Sequence, residues 1–386
     1  MKAQELVNSA LLPVISWIGK QIFSLPGEIT VLPNGSGDTT FNYLQLFLYA
    51  MLAIVTAIVW SLIDFKRASY RNLQDFAFIL IRYYLAVVMA SYGAYKVVQL
   101  QFPEPYLARL LQPFGEFSPM GLAWTFLGYS YPYTFFGGLA EVVGALLLMF
   151  RRTVLAGTLV LIPVLANVVM INFSYDVPVK LYSSHLLLFC FALLAPFARQ
   201  LVNVVILNRP TERVELPFRV WPQTLLWPRV AFKLVFIVGF LCATGLTVLE
   251  SRNSYGAQVP PPPMYGIYEI QEFRLNGIIR PPLLTDLVRW RYLVIDKQFG
   301  CIVPMQGAKQ WLTHETDTVA QALTLTLNSD STAVYRLTYS ADSGEYLFNG
   351  VVRGDTIEMS AKQLLKRDFQ IFKTGFNWVN EYPNNQ

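Results

Sequence analysis

Six apolar stretches, each about as long as a helix needs to cross a bilayer, decide what this chain can fold into. They cover residues 41–63, 76–100, 133–150, 154–172, 181–197 and 230–249. A hydrocarbon core about 30 Å thick takes about 20 residues of helix, and in lipid a helix satisfies its own backbone. Charged residues make up only 14% of the chain and hydrophobic ones 54%, against about 25% charged in soluble domains. A wholly soluble or disordered protein is excluded. The fifth stretch is expected to continue as an interfacial helix to Leu207. Residues 1–22 carry Lys2, Glu5 and Lys20 around a short apolar centre, which reads as an interfacial helix rather than a signal peptide.

Loop charge sets orientation. Lys66, Arg67 and Arg71 follow the first span, Arg151 and Arg152 the third, and Arg199, Arg209, Arg213, Arg219 and Arg229 the fifth. These alternate connections are expected in the cytoplasm. Both termini then lie outside the bacterial cytoplasmic (inner) membrane. The net charge of +5 falls wholly within residues 1–250, so it reads as a topology signal and not as a nucleic-acid footprint.

After the sixth span comes Pro260–Pro263, a stiff spacer of about 12 Å. Beyond it the composition turns ordinary. Leu323, Leu325 and Leu327 alternate with Thr324 and Thr326, as in a half-buried strand, and residues 334–339 and 345–352 read the same way. Breaks at Asn328-Ser329-Asp330-Ser331, Asp342-Ser343-Gly344 and Gly354-Asp355 suit turns. The fold class is therefore an α-helical membrane bundle plus a small β-meander closing into a barrel or sandwich. The expected divisions are 1–40, interfacial helix and polar loop; 41–74, first span and connection; 75–207, a four-helix core; 208–249, connection and sixth span; 250–264, linker; and 265–386, an extracytoplasmic β-domain.

Cys190, Cys242 and Cys301 form no CxxC, and the two histidines, His185 and His314, lie far apart. No metal, haem, flavin or phosphate-loop motif emerges. His314 reads as a surface-loop residue, and residues 102–131 as a cap folded back onto the membrane.

Chemistry concentrates inside the spans, where ionisable groups cost several kcal/mol and are usually paired or functional. Arg82 lies towards the inner side, structural in role or serving that side. Lys96, Glu141, Asn167, Asn172, Asp176, Lys180 and His185 are all expected in the outer half, and Tyr92 is a further candidate donor. Gly137, Gly144 and Ala145 share a face with Glu141 and should turn it towards neighbouring helices. The cluster reads either as a packing network or as a site for a small redox lipid or proton relay. For His185, a hydrogen bond to helix backbone competes with catalysis. If Glu141 merely packs helices, Glu141→Gln is expected nearly to preserve stability.

At these residues the sequence resembles the DoxX-like membrane family. The resemblance rests on Arg82…Tyr92-Gly93-Ala94-Tyr95-Lys96, on Gly138-Leu139-Ala140-Glu141-Val142-Val143-Gly144-Ala145-Leu146-Leu147-Leu148, and on the close helix pair that follows, over residues 75–207. It implies a four-helix core and quinone chemistry, since the family is named for a subunit linked to thiosulfate:quinone oxidoreduction. The first span, the sixth span and the β-domain are additions to that pattern. Three readings stand. One is a quinone-linked oxidoreductase or a subunit of one, with Glu141 and His185 catalytic, Tyr92, Lys96, Asn167, Asn172, Asp176 and Lys180 around the ligand, and a redox partner supplying electrons. The second is a non-catalytic anchor whose β-domain binds another envelope protein. The third is a small-molecule transporter using the same cluster.

Overall fold

The computed structural model describes residues 2–32, 34–211, 224, 226–255, 259–342, 344–373 and 375–383. Arg213, Arg219 and Ser343 lie outside the described residues. The chain divides into two units. One comprises residues 1–102 and 118–249, the other residues 103–117 and 250–386.

The first unit is helical. An amphipathic α1 (Lys2–Gln21) packs through Ile15 and Ile18 on Phe41 and Leu44 of α2 (Thr40–Ile63). Thr39 caps α2 in a reciprocal capping box with Asn42. A bundle follows, built from α3 (Arg71–Val97), α6 (Tyr131–Met149), α7 (Val154–Ser174) and α8 (Lys180–Leu194). In sequence, the short α4 (Leu107–Leu110), which belongs to the second unit, and α5 (Pro119–Tyr129) come between α3 and α6. Beyond α8 the chain continues through α9 (Ala198–Leu201) and a π-helical turn, Val202–Ile206. The last long helix is α10 (Leu226–Tyr255), and its Phe236 ring meets Tyr83 of α3 edge-on.

Among the described residues, six helical stretches are long and apolar enough to cross a membrane. They match the six apolar stretches of the sequence, and the protein is an integral membrane protein with a helical region and a β-barrel domain. Glycine sets the closest approaches. A Cβ on Gly93 of α3 would lie 2.7 Å from the Gly138 carbonyl oxygen, and one on Gly138 2.7 Å from Lys96 Cβ. The two backbones therefore touch at small residues, as helices in lipid commonly do. Gly137, expected on this face, has open space beside it, and its neighbour Gly138 makes the contact.

In the second unit, β1 (Gly266–Leu275), β3 (Trp290–Ile295), β4 (Gly300–Pro304), β5 (Gln310–Asp317), β6 (Ala322–Leu327), β7 (Asp330–Asp342), β8 (Glu345–Val352) and β9 (Asp355–Leu364) pair antiparallel in sequence order. β9 closes on β1. A two-residue strand, β2 (Ile278–Ile279), pairs with the end of β1. Leu323, Leu325 and Leu327 point inward, joined by Tyr268, Phe273, Trp290 and Phe348. Eight strands leave room for little more than their own side chains, so the interior is a packed core. Arg289 closes one end of it, buried and donating to the carbonyls of Arg280 (2.7 Å) and Gln271 (3.0 Å).

The segment expected to cap the membrane divides in two. Residues 119–129 form α5, whereas 103–117 form a strap on the outside of the barrel. Leu107 and Ala108 pack on Ile267, Val294 and Cys301. Asp296 accepts from the Leu107 amide at 2.7 Å, and Lys309 donates to the Ala108 carbonyl at 3.0 Å. Both ends of α4 are thus satisfied by the barrel, which suits a helix too short to stand alone. His314, expected in a loop, lies on β5 and bonds the Asp296 carbonyl through Nε2 at 2.8 Å.

Candidate functional site

The glycine contact brings α3 and α6 close enough for Lys96 and Glu141 to form a buried ion pair through Glu141 Oε1. Glu141 is 1% exposed and lies about 15 Å along α6 by helical rise. Its other oxygen, Oε2, is buried with no hydrogen-bond partner among the described residues. A carboxylate taken out of water this completely is stable only when paired and bonded. Lys96 meets the first need, and Oε2 retains unused capacity.

Tyr92 sits one turn before Lys96 on α3, with 41% of its surface exposed on the outside of the bundle. Its ring lies 6.4 Å from that of Tyr182 on α8, and the Tyr84 and Tyr182 hydroxyls are 3.3 Å apart. Three phenols therefore line the α3–α8 seam. Two of them, Tyr84 and Tyr92, are exposed on a surface that faces lipid in a membrane.

Other expected residues form separate groups. Asn172 of α7 donates to Ser183 of α8 at 2.9 Å, both buried, and this bond ties the two helices. Asp176 and Lys180 pair at 2.7 Å in the connection between them, where the Asp176 side chain is largely exposed. Asn167 is exposed on α7. His185 uses Nδ1 on the Leu181 carbonyl one turn back at 2.7 Å. As the carbonyl only accepts, Nδ1 carries the proton. Arg82 is buried, its guanidinium 4.9 Å from the Tyr83 ring centroid.

Asp38 escaped sequence reasoning. Its carboxylate accepts from the amides of Lys180 (2.7 Å) and Leu181 (2.9 Å), capping α8 from 142 residues away. The local N-cap residue, Val179, has no acceptor to offer, and a carboxylate at a helix N-terminus also suits its dipole. Gly37-Asp38-Thr39 reads locally as loop and cap, and nothing in it announces a distant partner.

No protein-family model matches the chain, and no solved structure matches it. It is similar to the uncharacterized protein YwoB of Bacillus subtilis, 33% identical over 132 residues, which cover 32% of this chain and 78% of that protein. On that stretch, about a third of its length, the chain belongs to the same family as YwoB.

Proposed function

We propose that the end of the bundle where α3 and α7 finish holds the headgroup of a lipid-soluble quinone and moves its protons. The protein would then act in the bacterial cytoplasmic membrane as a quinone-linked oxidoreductase or a subunit of one. The observation that carries this reading is the buried Glu141 carboxylate with an unbonded Oε2, paired to a Lys96 that lies one turn from the outward-facing Tyr92. A quinone, when bound, supplies two-electron, two-proton chemistry. The residues present fit such a headgroup selectively. The Tyr92 and Tyr182 phenols are the donors that suit its carbonyl oxygens. Lys96 is committed to Glu141, and the Nδ1 proton of His185 to Leu181. Glu141 holds or passes the proton at Oε2. Electrons come from a partner subunit or a soluble donor. The DoxX-like resemblance of residues 75–207 supports the same chemistry.

The test is extraction of lipid from protein purified out of its native membrane. About one quinone per chain is expected, by the one-site logic of a single headgroup pocket. Tyr92→Phe with Tyr182→Phe is expected to lose it while the helices stay folded. A chain carrying no more quinone than the surrounding lipid overturns the reading.

A second reading has its own support. The barrel loop after β1 exposes Ile278, Ile279, Leu283, Leu284 and Leu287 together. Exposed large apolar residues this close in sequence suit a docking surface. It favours an anchor whose barrel binds another envelope protein. A photocrosslinker at Leu284 giving one discrete adduct, in a chain free of quinone, would favour this account.

A further inference from the structure

The chain that follows α10 enters the barrel at one end. The chain enters β1 at Gly266, and strand pairing puts Gly266 beside Ile295, Ile295 beside Gly300, and Ile267 beside Leu364. The start of β1, the turn between β3 and β4 and the end of β9 therefore share that end. α10 stops at Tyr255, so the ten residues before β1 reach at most about 35 Å. The strap docks at the same end, with the Leu107 amide on Asp296 and the Tyr106 ring 5.5 Å from Phe299. It is itself spliced between α3 and α5. The route from α10 and the start of the strap both arrive there.

The chain leaves the barrel from this same end. After Leu364, Lys366 pairs with Glu104 of the strap at 2.5 Å, and Phe369 packs into the strap's apolar cluster. Then follow Phe376, Trp378 and Tyr382, which are 80%, 91% and 85% exposed, with the first two rings 5.0 Å apart and edge-on. Three aromatic rings standing in water within seven residues are costly, and Trp and Tyr favour the headgroup boundary of a bilayer, where ring and polar tip both find their medium.

We propose that residues 375–383 are an interfacial anchor that places Phe376, Trp378 and Tyr382 in the headgroup boundary of the lipid bilayer. The occupant of this aromatic surface is lipid, because its point of departure is the end of the barrel tied to membrane helices. The loop at Leu284 leaves from the opposite end of β1, where no such tie exists among the described residues.

The test uses the full chain in phosphatidylcholine vesicles containing nitroxide-labelled phosphatidylcholine. Cys242, the exposed thiol, is first replaced by serine. An environment-sensitive fluorophore is then attached at Asn380→Cys, which leaves the aromatics in place, or at Ser329→Cys, in the turn between β6 and β7 at the far end. Strong nitroxide quenching is expected at 380 and not at 329. Phe376→Ser, Trp378→Ser and Tyr382→Ser together are expected to bring 380 down to the level of 329, while Cys301 stays protected from alkylation and so reports a folded barrel. Equal quenching at both sites overturns the proposal. So does quenching that survives the triple substitution, which would mean proximity without anchoring. Quenching that vanishes as protein is diluted into lipid also overturns it, in favour of contact between copies.

Discussion

Removing one member of the Lys96–Glu141 pair should cost more than removing both. A lone buried charge keeps its desolvation penalty and loses its compensation, typically about 3–5 kcal/mol, whereas an apolar pair of similar volume is often neutral. Lys96→Met and Glu141→Leu are each expected to destabilise the helical unit by about that amount, and the double variant to recover most of it. Thermal unfolding in detergent for all four corners of the cycle checks this; additive losses would show that the pair is not coupled. The geometry also revises the expectation for Glu141→Gln. An amide there leaves the Lys96 ammonium without a counter-ion, so the substitution destabilises unless Lys96 is neutralised too, and a test of proton transfer must compare both forms. Glu141 and Lys96 were legible in the sequence because charge stands out against an apolar span. Their partnership was not, since it depends on Gly93 meeting Gly138. Asp38 was invisible for the opposite reason, as a polar residue in a polar loop whose partners are the amides of a distant helix.

Strands and helices announced themselves by period, and the strap did not. β6 shows its alternation directly in Leu323, Leu325 and Leu327, and the spans are long enough to be unmistakable. Tyr106, Leu107 and Leu110, by contrast, look like any short apolar patch beside a membrane, while the strands they cover begin some 150 residues later. The strap makes a barrel residue report on a distant loop. Cys301 packs against Leu107 and Ala108, and burial pushes its thiol up to about 12 from the usual 9.0. It is expected to stay protonated and unreactive towards alkylating agents at pH 8. A raised folded-state value means that the associated stability is complete below pH 9 and falls away as pH rises towards 12. Leu107→Ala removes a fully buried side chain, which should cost about 2–5 kcal/mol, and should accelerate alkylation of Cys301 at pH 8. An unchanged alkylation rate, followed by mass spectrometry, would mean that the strap does not cover the thiol in solution.

At the scale of the whole molecule, the strap constrains topology independently of charge. Residues 103–117 belong to the connection between α3 and α6, and they pack on a barrel that follows α10. Both must lie on one side of the bilayer, so the chain must cross an even number of times between them. α6, α7, α8 and α10 make four, which agrees with every one of these helices spanning. Parity alone does not say which side. By the excess of positive charge, the connections that carry Arg151 and Arg152 between α6 and α7, and Lys66 and Arg67 after α2, are expected in the cytoplasm, which would put the barrel outside. Intact cells treated with a membrane-impermeant thiol reagent should label a cysteine at Ser329 directly, and one at Arg152 only after permeabilisation. Labelling of Arg152→Cys alone would reverse the charge argument and leave the parity intact. Labelling of both from outside would mean that α6 does not cross, and the evenness then requires one of α7, α8 and α10 to lie along the membrane as well.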